Sequence, residues 1–282
     1  MGDDTACLVC LLLAGKYIAE HVDSPQWREI RREDAPGLLL VCNAGEEGLG
    51  NLKGVRKICE DFDDRIERFC TFDSSLSSIV DRAVGSKRFR VRIRTRGGHS
   101  YDDFGNANAI AGLASLVGKL YGIRVPEGGK TTYNVGMISG GTSVNTIAQE
   151  AEMLYEFRSD RRETLEYMER QFMEVFDRAK AEGMDVSFKV IWVRPCEGPV
   201  DPKRKQALAD WAHRVVEEMT GQAPKHCAGS TDCNIPLSLG IPSVCVGSFR
   251  GAGAHTWEEY VETDSLEEGY KVAFGMIFGS RD

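Results

Sequence analysis

The chain has 282 residues, 42% apolar and 28% charged, with a formal net charge of −8. That is room for one large domain or two ordinary ones in a globular, soluble protein. The acidic balance excludes a non-specific nucleic-acid binder, which needs a basic face, and no apolar run is long enough to span a membrane. The Met1-Gly2-Asp3-Asp4 start is acidic where a secretory leader begins basic. Nine cysteines without a regular framework read as reduced thiols, so a cytoplasmic location is expected.

Thr5, Leu8, Leu11, Leu12 and Ile18 recur with helical spacing and predict a buried helix over residues 4–20. Cys7-Leu8-Val9-Cys10 has redox-motif spacing, but inside that helix and without a preceding strand it reads as two small buried side chains. After the punctuation of Pro25 and Pro36, the apolar run Gly37 to Asn43 predicts a buried strand that empties into Gly45-Glu46-Glu47-Gly48. Residues 48–60 read as a loop or short helix, and Ile66 to Phe72 as a short strand ending at Asp73.

From 87 to 193 the texture changes. Phe89 to Arg94 alternates apolar and basic residues, the mark of a half-buried strand. The loop Gly97-Gly98-His99-Ser100 follows, then a helix over Asn108 to Tyr121, alternating strands at Thr131 to Ser139 and Glu150 to Arg158, an amphipathic helix at Leu165 to Ala181 and a strand at Val186 to Val193. This order is the split βαβ arrangement: a four-stranded antiparallel sheet with two helices on one face. Past the hinge Pro195 to Pro202 come a helix (Lys205 to Thr220), the loop Gly229-Ser230-Thr231-Asp232, a short helix start, a buried strand at Pro242 to Gly247, His255 in a loop and a helix from Ser265 with capping-box spacing. The expected fold class is α/β: a mixed sheet flanked by helices, in two segments, 1–85 and 196–282, with an α+β domain inserted at 86–195.

Two adjacent acids at the mouth of a buried strand are costly unless a cation or a proton holds them there. One carboxylate then binds a metal while its neighbour moves protons. Asp3, Glu46, Glu47, Asp73 and His255 all stand just past apolar elements, where ligands of open α/β sheets gather, and carboxylates with an imidazole suit zinc, manganese or cobalt. Singly, each candidate has a plainer reading. Asp3 suits a helix N-cap, Asp73 a turn, Gly97-Gly98-His99 a hairpin loop, Asn145 an Asx-turn and Arg158 a surface ion pair. His213, on a helix, and His226, in a loop before Cys227, read as structural.

Taken in order, the motifs resemble the cocatalytic zinc metallopeptidases that include peptidase T, aminoacylase, carboxypeptidase G and the acetylornithine and succinyl-diaminopimelate deacylases. Gly2-Asp3-Asp4-Thr5-Ala6 is similar to the family's bridging-aspartate motif and Gly45-Glu46-Glu47-Gly48 to its double glutamate. Ala83-Val84-Gly85-Ser86 with Gly97-Gly98-His99-Ser100 resembles the entry to its lid. Gly140-Gly141-Thr142-Ser143-Val144-Asn145 resembles the lid's substrate loop, and Gly229-Ser230-Thr231-Asp232 and Ala254-His255-Thr256 its closing motifs. The resemblance implies a zinc-peptidase-like catalytic domain and a ferredoxin-like lid and dimerisation domain. In the roles it implies, Asp3 bridges two zinc ions, Glu47 and His255 complete one metal site, and Asp73 holds the other ion. Glu46 is the general base, and His99 stabilises the oxyanion from the lid of a partner protomer. Asn145 and Arg158 bind the substrate carboxylate. The substrate is a small peptide or N-acyl amino acid, and the chain forms a homodimer through the lid.

The family's earlier His-x-Asp motif has no counterpart ahead of Asp3. His21-Val22-Asp23 has the letters but stands after Asp3, at a helix end. The resemblance therefore implies an amino-terminally truncated member with an incomplete second metal site and apolar sheet edges laid bare. Two functions follow as expectations: a metal-dependent amide-bond hydrolase, or a non-catalytic remnant that mainly dimerises.

Overall fold

The computed structural model of the chain describes residues 2–25, 37–48, 50–254 and 256–279, without the side chains of residues 2 and 3. In chain order, a π-helical turn at Gly2–Ala6 runs into α1 (Cys7–His21), followed by α2 (Lys53–Phe62), β1 (Phe69–Phe72), β2 (Ser78–Ala83), β3 (Gly85–Arg94) and the two-residue β4 (Gly98–His99). Then come α3 (Ala109–Tyr121), β5 (Thr131–Gly140), the two-residue β6 (Thr146–Ile147), β7 (Glu150–Ser159), α4 (Arg162–Ala181), β8 (Asp185–Arg194) and α5 (Pro202–Thr220). The chain continues through β9 (Lys225–Gly229), α6 (Asn234–Ser238), β10 (Ser243–Val246), the short pair β11 (Gly251–Ala252) and β12 (Tyr260–Val261), and α7 (Ser265–Phe278). Two compact units result: one from residues 1–83 with 198–282, the other from 84–197.

In the 84–197 unit the sheet order is β5-β7-β3-β8, with every neighbour antiparallel. Period-two alternation sends Phe89, Val91 and Ile93 of β3 and Met153, Tyr155 and Phe157 of β7 to one face, where α3 and α4 cover them. Asn108 caps α3, its side-chain oxygen accepting from the Ile110 and Ala111 amides at 2.9 and 3.3 Å. The core is aromatic: Phe172 stacks on Phe89 at 4.3 Å and on Tyr155 at 5.6 Å between centroids, and meets Phe188 edge-on at 5.5 Å. The other face carries an ion-pair ladder. Arg88, Arg90, Arg92 and Arg94 of β3 stand opposite Glu150, Glu152 and Glu156 of β7.

In the 1–83/198–282 unit the sheet is mixed, in the order β1-β10-β2-β9. β1 and β10 are parallel, as are β2 and β9, while β10 and β2 are antiparallel. One face packs on α5 and α7 through Leu208, Trp211, Val215, Val272 and Met276, and the other receives Cys233 and Leu237. Leu52, Val55 and Cys59 join α2 to Ile235 in a smaller cluster. The expected mixed sheet with helices on both sides and the inserted antiparallel module with two helices on one face are both present.

Three local expectations change. Residues 37–46 form no strand; a strand needs a ladder partner, and Ala44 instead accepts from the Gly54 amide at the start of α2, at 3.0 Å. Leu38, Leu39 and Leu40 are exposed, as are Leu8, Val9, Leu12 and Leu13 of α1. β2 and β9 are strands that periodicity does not predict: a bulge between Val80 and Arg82 breaks the alternation of β2, and Lys225–Gly229 lacks β-branched residues. The capping box at Ser265 does not form, because its hydroxyl accepts from the Arg250 amide and donates to the Glu262 carbonyl, while Glu268 pairs with Arg250. Among the described residues no helix is long and apolar enough to cross a membrane.

Phe172 is fully buried at the centre of the aromatic cluster. Phe172→Ala is expected to destabilise the 84–197 unit by about 3–5 kcal/mol, read from its urea midpoint.

Candidate active site

The acidic pair sits on a tightly defined backbone. Gly45 and Gly48 have φ of 90° and 57°, left-handed values that a side chain at either position would resist. Asn51 and Leu52 are left-handed as well, at 55° and 59°, although neither is glycine. Leu52 is held there by complete burial and by its amide donating to the Gly45 carbonyl at 2.8 Å. Strain of this kind costs on the order of 1–3 kcal/mol per residue and gathers at functional sites. It holds Glu46 half-buried and Glu47 exposed.

Three residues before Glu46, Asn43 Nδ2 donates to Asp232 Oδ2 at 2.8 Å across a separation of 189 residues. Asp232 is 6% exposed, and its charge adds to the burial that raises the Cys59 thiol to about 11. The loop that carries it is tied internally: the Thr231 amide donates to Asn234 Oδ1 at 2.9 Å and the Cys233 amide to Thr231 Oγ1 at 3.2 Å. The double-glutamate segment and the 229–232 motif thus meet. Asn43 and Asp232 hold them together, a pairing that the spacing of the two motifs along the chain does not reveal. Its only trace in the sequence is an acid in a short Gly-Ser-Thr-Asp loop.

Asp73 follows β1, its amide donating to the Val246 carbonyl at 3.0 Å, so it stands at the carboxyl ends of the parallel pair β1 and β10. Burial pushes the Cys7, Cys233 and Cys245 thiols well up, and the Asp73 charge pushes each further the same way. Cys7 also feels Asp4 and accepts from the Ser248 hydroxyl at 3.0 Å. Through Cys7 the amino-terminal π-helical turn lies beside Asp73. Asp3 sits within that turn rather than at the N-cap of α1, a position taken by Ala6. The side chain of Asp3 and all of His255 lie outside the described residues. Among the described residues, no three His, Cys, Asp or Glu side chains form a ready metal cluster. Cys7 and Cys10 are buried free thiols, and His21 is stacked on Tyr17 at 4.1 Å with Nδ1 against the Tyr17 carbonyl at 2.9 Å.

In the 84–197 unit the structure brings His99 and Asn145 together. β4 pairs with β6, setting His99 opposite Thr146, and the Ser100 amide donates to the Asn145 carbonyl at 3.0 Å. The His99 amide donates to Asp103 Oδ2 at 2.8 Å, and its Nδ1 faces Asp102 Oδ2 at 3.3 Å. Asn145 Oδ1 accepts from the Ser143 hydroxyl at 2.6 Å, which directs the amide Nδ2 as donor. Arg158 lies elsewhere. It is near the carboxyl end of β7, whereas the His99 loop adjoins the start of that strand, and the eight strand steps from Glu150 to Arg158 span roughly 26 Å. Arg158 grips Glu156 with two bonds, Nε to Oε1 at 2.9 Å and a terminal nitrogen to Oε2 at 3.1 Å. Arg88 donates to the same carboxylate at 2.6 Å and lies 3.6 Å above the Trp192 ring.

Residues 83–184 match the family model of the peptidase dimerisation domain, M20_dimer. Across 119 residues the chain is 30% identical to a homolog of a p-aminobenzoyl-glutamate hydrolase subunit from Haemophilus influenzae, covering 42% of this chain and 26% of that protein. Across 140 residues it is 28% identical to a succinyl-diaminopimelate desuccinylase of Nitrosomonas eutropha, covering 49% and 35%. These matched stretches span only about a quarter to a third of the relatives' length. The crystal structure of aminopeptidase PepT from Bacillus cereus superposes with a TM-score of 0.70 at 23% identity, over 97% of this chain and 70% of that one. Residues 83–184 thus match the peptidase dimerisation domain, and along nearly all its length the chain shares the fold of the Bacillus cereus aminopeptidase structure.

Burial works to raise the Glu156 carboxyl, but the hydrogen bonds and charges of Arg158 and Arg88 overcome it and hold it below the usual carboxylate range. A folded-state value below the unfolded one contributes stability above the unfolded value, about pH 4.3, that is lost as pH falls through the folded value. Thermal unfolding followed from about pH 5 downward is expected to show a stability loss that Glu156→Gln reduces.

Proposed function

We propose that this chain is a metal-dependent hydrolase of peptide or N-acyl amino-acid amide bonds that dimerises through its inserted unit. The observation that carries the reading is the Asn43–Asp232 hydrogen bond, which joins the strained double-glutamate segment to the closing loop. The dimerisation domain at 83–184 and the relatives' activities support it.

The expected metal ligands are Asp3, Glu47, Asp73 and His255, three carboxylates and an imidazole. That donor set fits zinc, with manganese or cobalt as alternatives. The surroundings fit as well, because Asp73 stands among buried thiols in a low dielectric that favours a counter-cation. When bound, such an ion polarises the scissile carbonyl and acidifies water.

In this reading, Glu46 removes the proton from the attacking water and returns it to the leaving amine. Its half-buried place next to the exposed Glu47 suits that role. His99 donates a ring N–H to the oxyanion, and Asn145 and Arg158 hold the substrate carboxylate. Arg158 must then share its guanidinium between the substrate and Glu156. Because His99 and Asn145 stand at the other end of β7 from Arg158, one small substrate meets all three only when two protomers contribute. The outer strand β5, with Met137 and Ile138 66% and 58% exposed, is the edge on which a second copy would pair.

Glu46→Gln is expected to lower hydrolysis of a di-, tripeptide and N-acyl amino-acid panel by about 10²–10⁴-fold while zinc content is unchanged. Turnover retained by that variant would contradict the role given to Glu46.

A further inference from the structure

A second group of titratable side chains lies outside the candidate site, on the outer strand of the mixed sheet. His226 of β9 accepts or donates at both ring nitrogens. Its Nδ1 is 2.7 Å from Asp81 Oδ2 on β2, and its Nε2 is 3.0 Å from Nδ1 of His213 on α5. The two ring planes lie within 8° and their centroids 5.2 Å apart. With nitrogens at 3.0 Å, that separation sets the rings edge to edge and nearly coplanar, so the two nitrogens face each other along one N–H···N line. Asp81 is the extra residue of the bulge in β2, where Val80 pairs with Cys227 and Arg82 with Ala228, and the bulge aims its carboxylate at His226. Three elements are therefore joined by one chain of protons.

The charged and titratable groups around the chain are few. From β2, Arg82 Nε is 3.5 Å from Asp81 Oδ1; from α5, Glu217 Oε2 is 3.8 Å from His213 Nε2; from β9, Cys227 lies near enough to feel the Asp81 charge. With both rings neutral, His226 Nδ1–H donates to Asp81 and His213 Nδ1–H donates to His226 Nε2. One added proton, taken at His213 Nε2, keeps a donor and an acceptor on the facing nitrogens. A second gives both nitrogens a hydrogen, and the bond between the rings is lost. An unfolded chain takes both protons without that loss, so acidification favours opening.

We propose that Asp81, His226 and His213 form a proton-controlled clamp that fastens β9 to α5 near neutral pH and releases it once both rings are protonated. The strand it holds runs directly into Gly229 and the loop of Asp232, the acceptor of the Asn43 bond. Releasing the clamp loosens that anchor, so the clamp couples pH to the order of the loop without touching the acidic pair.

Hydrogen exchange of the full chain between pH 7.5 and 5.5, corrected for intrinsic rates, tests this. Protection of the β9 amides should fall by about tenfold, the scale of one hydrogen bond to a charged network, while α3 amides of the other unit stay protected. In His213→Gln, whose amide donates without titrating, the β9 protection should be flat. A flat wild-type profile, an unchanged fall in His213→Gln, or α3 falling in step would overturn the clamp. Ring nitrogen chemical shifts of the wild-type chain answer independently of any variant: the clamp requires two coupled titration steps, and two independent single steps would overturn it.

Discussion

An amide-to-carboxylate hydrogen bond spanning 189 residues organises the 1–83/198–282 unit. Asp232 is almost wholly buried, and a carboxylate taken out of water needs donors or a cation around it. Asn43 supplies a donor, and in doing so pins the segment whose next turn carries Glu46 and Glu47. Gly45, Gly48 and the left-handed Asn51 and Leu52 then leave that segment little freedom. The strain is tolerated because Leu52 is anchored in its own apolar cluster with α2 and Ile235.

The direction of the strands does the rest. β1 and β10 run parallel, so Asp73 and Ser248 emerge on one side of the sheet, and Cys7 meets both there. Buried thiols in such a place stay protonated, since burial and the Asp73 charge both disfavour the thiolate. They fill volume and leave the ionic chemistry to carboxylates. In the inserted unit, the same economy appears on the solvent side of the sheet, where arginines of β3 and glutamates of β7 pair in register, while the opposite face is apolar.

Much of this was legible in the chain. The alternation at Phe89 to Arg94 and the helical stripe at Leu165 to Ala181 carry long periodic signals, and both elements formed at those places. Short elements were harder: β9 has five residues with no β-branched side chain, and the bulge at Asp81 hides β2. The apolar run at 37–43 reads as a strand because hydrophobicity is local, whereas a ladder depends on a partner elsewhere. The motifs single out Glu46, Asp73, His99 and Asn145 as candidates, without their partners. That Asn43 reaches Asp232, that His213 and His226 share one proton line, and that Arg158 stands far from His99 are facts of tertiary distance, invisible to spacing along the chain.

Cobalt(II) titration of the metal-free full chain tests most directly whether the acidic pair belongs to a metal centre. Saturable visible absorption bands are expected that survive Glu46→Gln, are lost in Glu47→Ala, and in Asp73→Ala fall only by the share of the second ion. Absence of bands from the wild-type chain, or bands that persist unchanged in both ligand variants, would contradict a metal centre there.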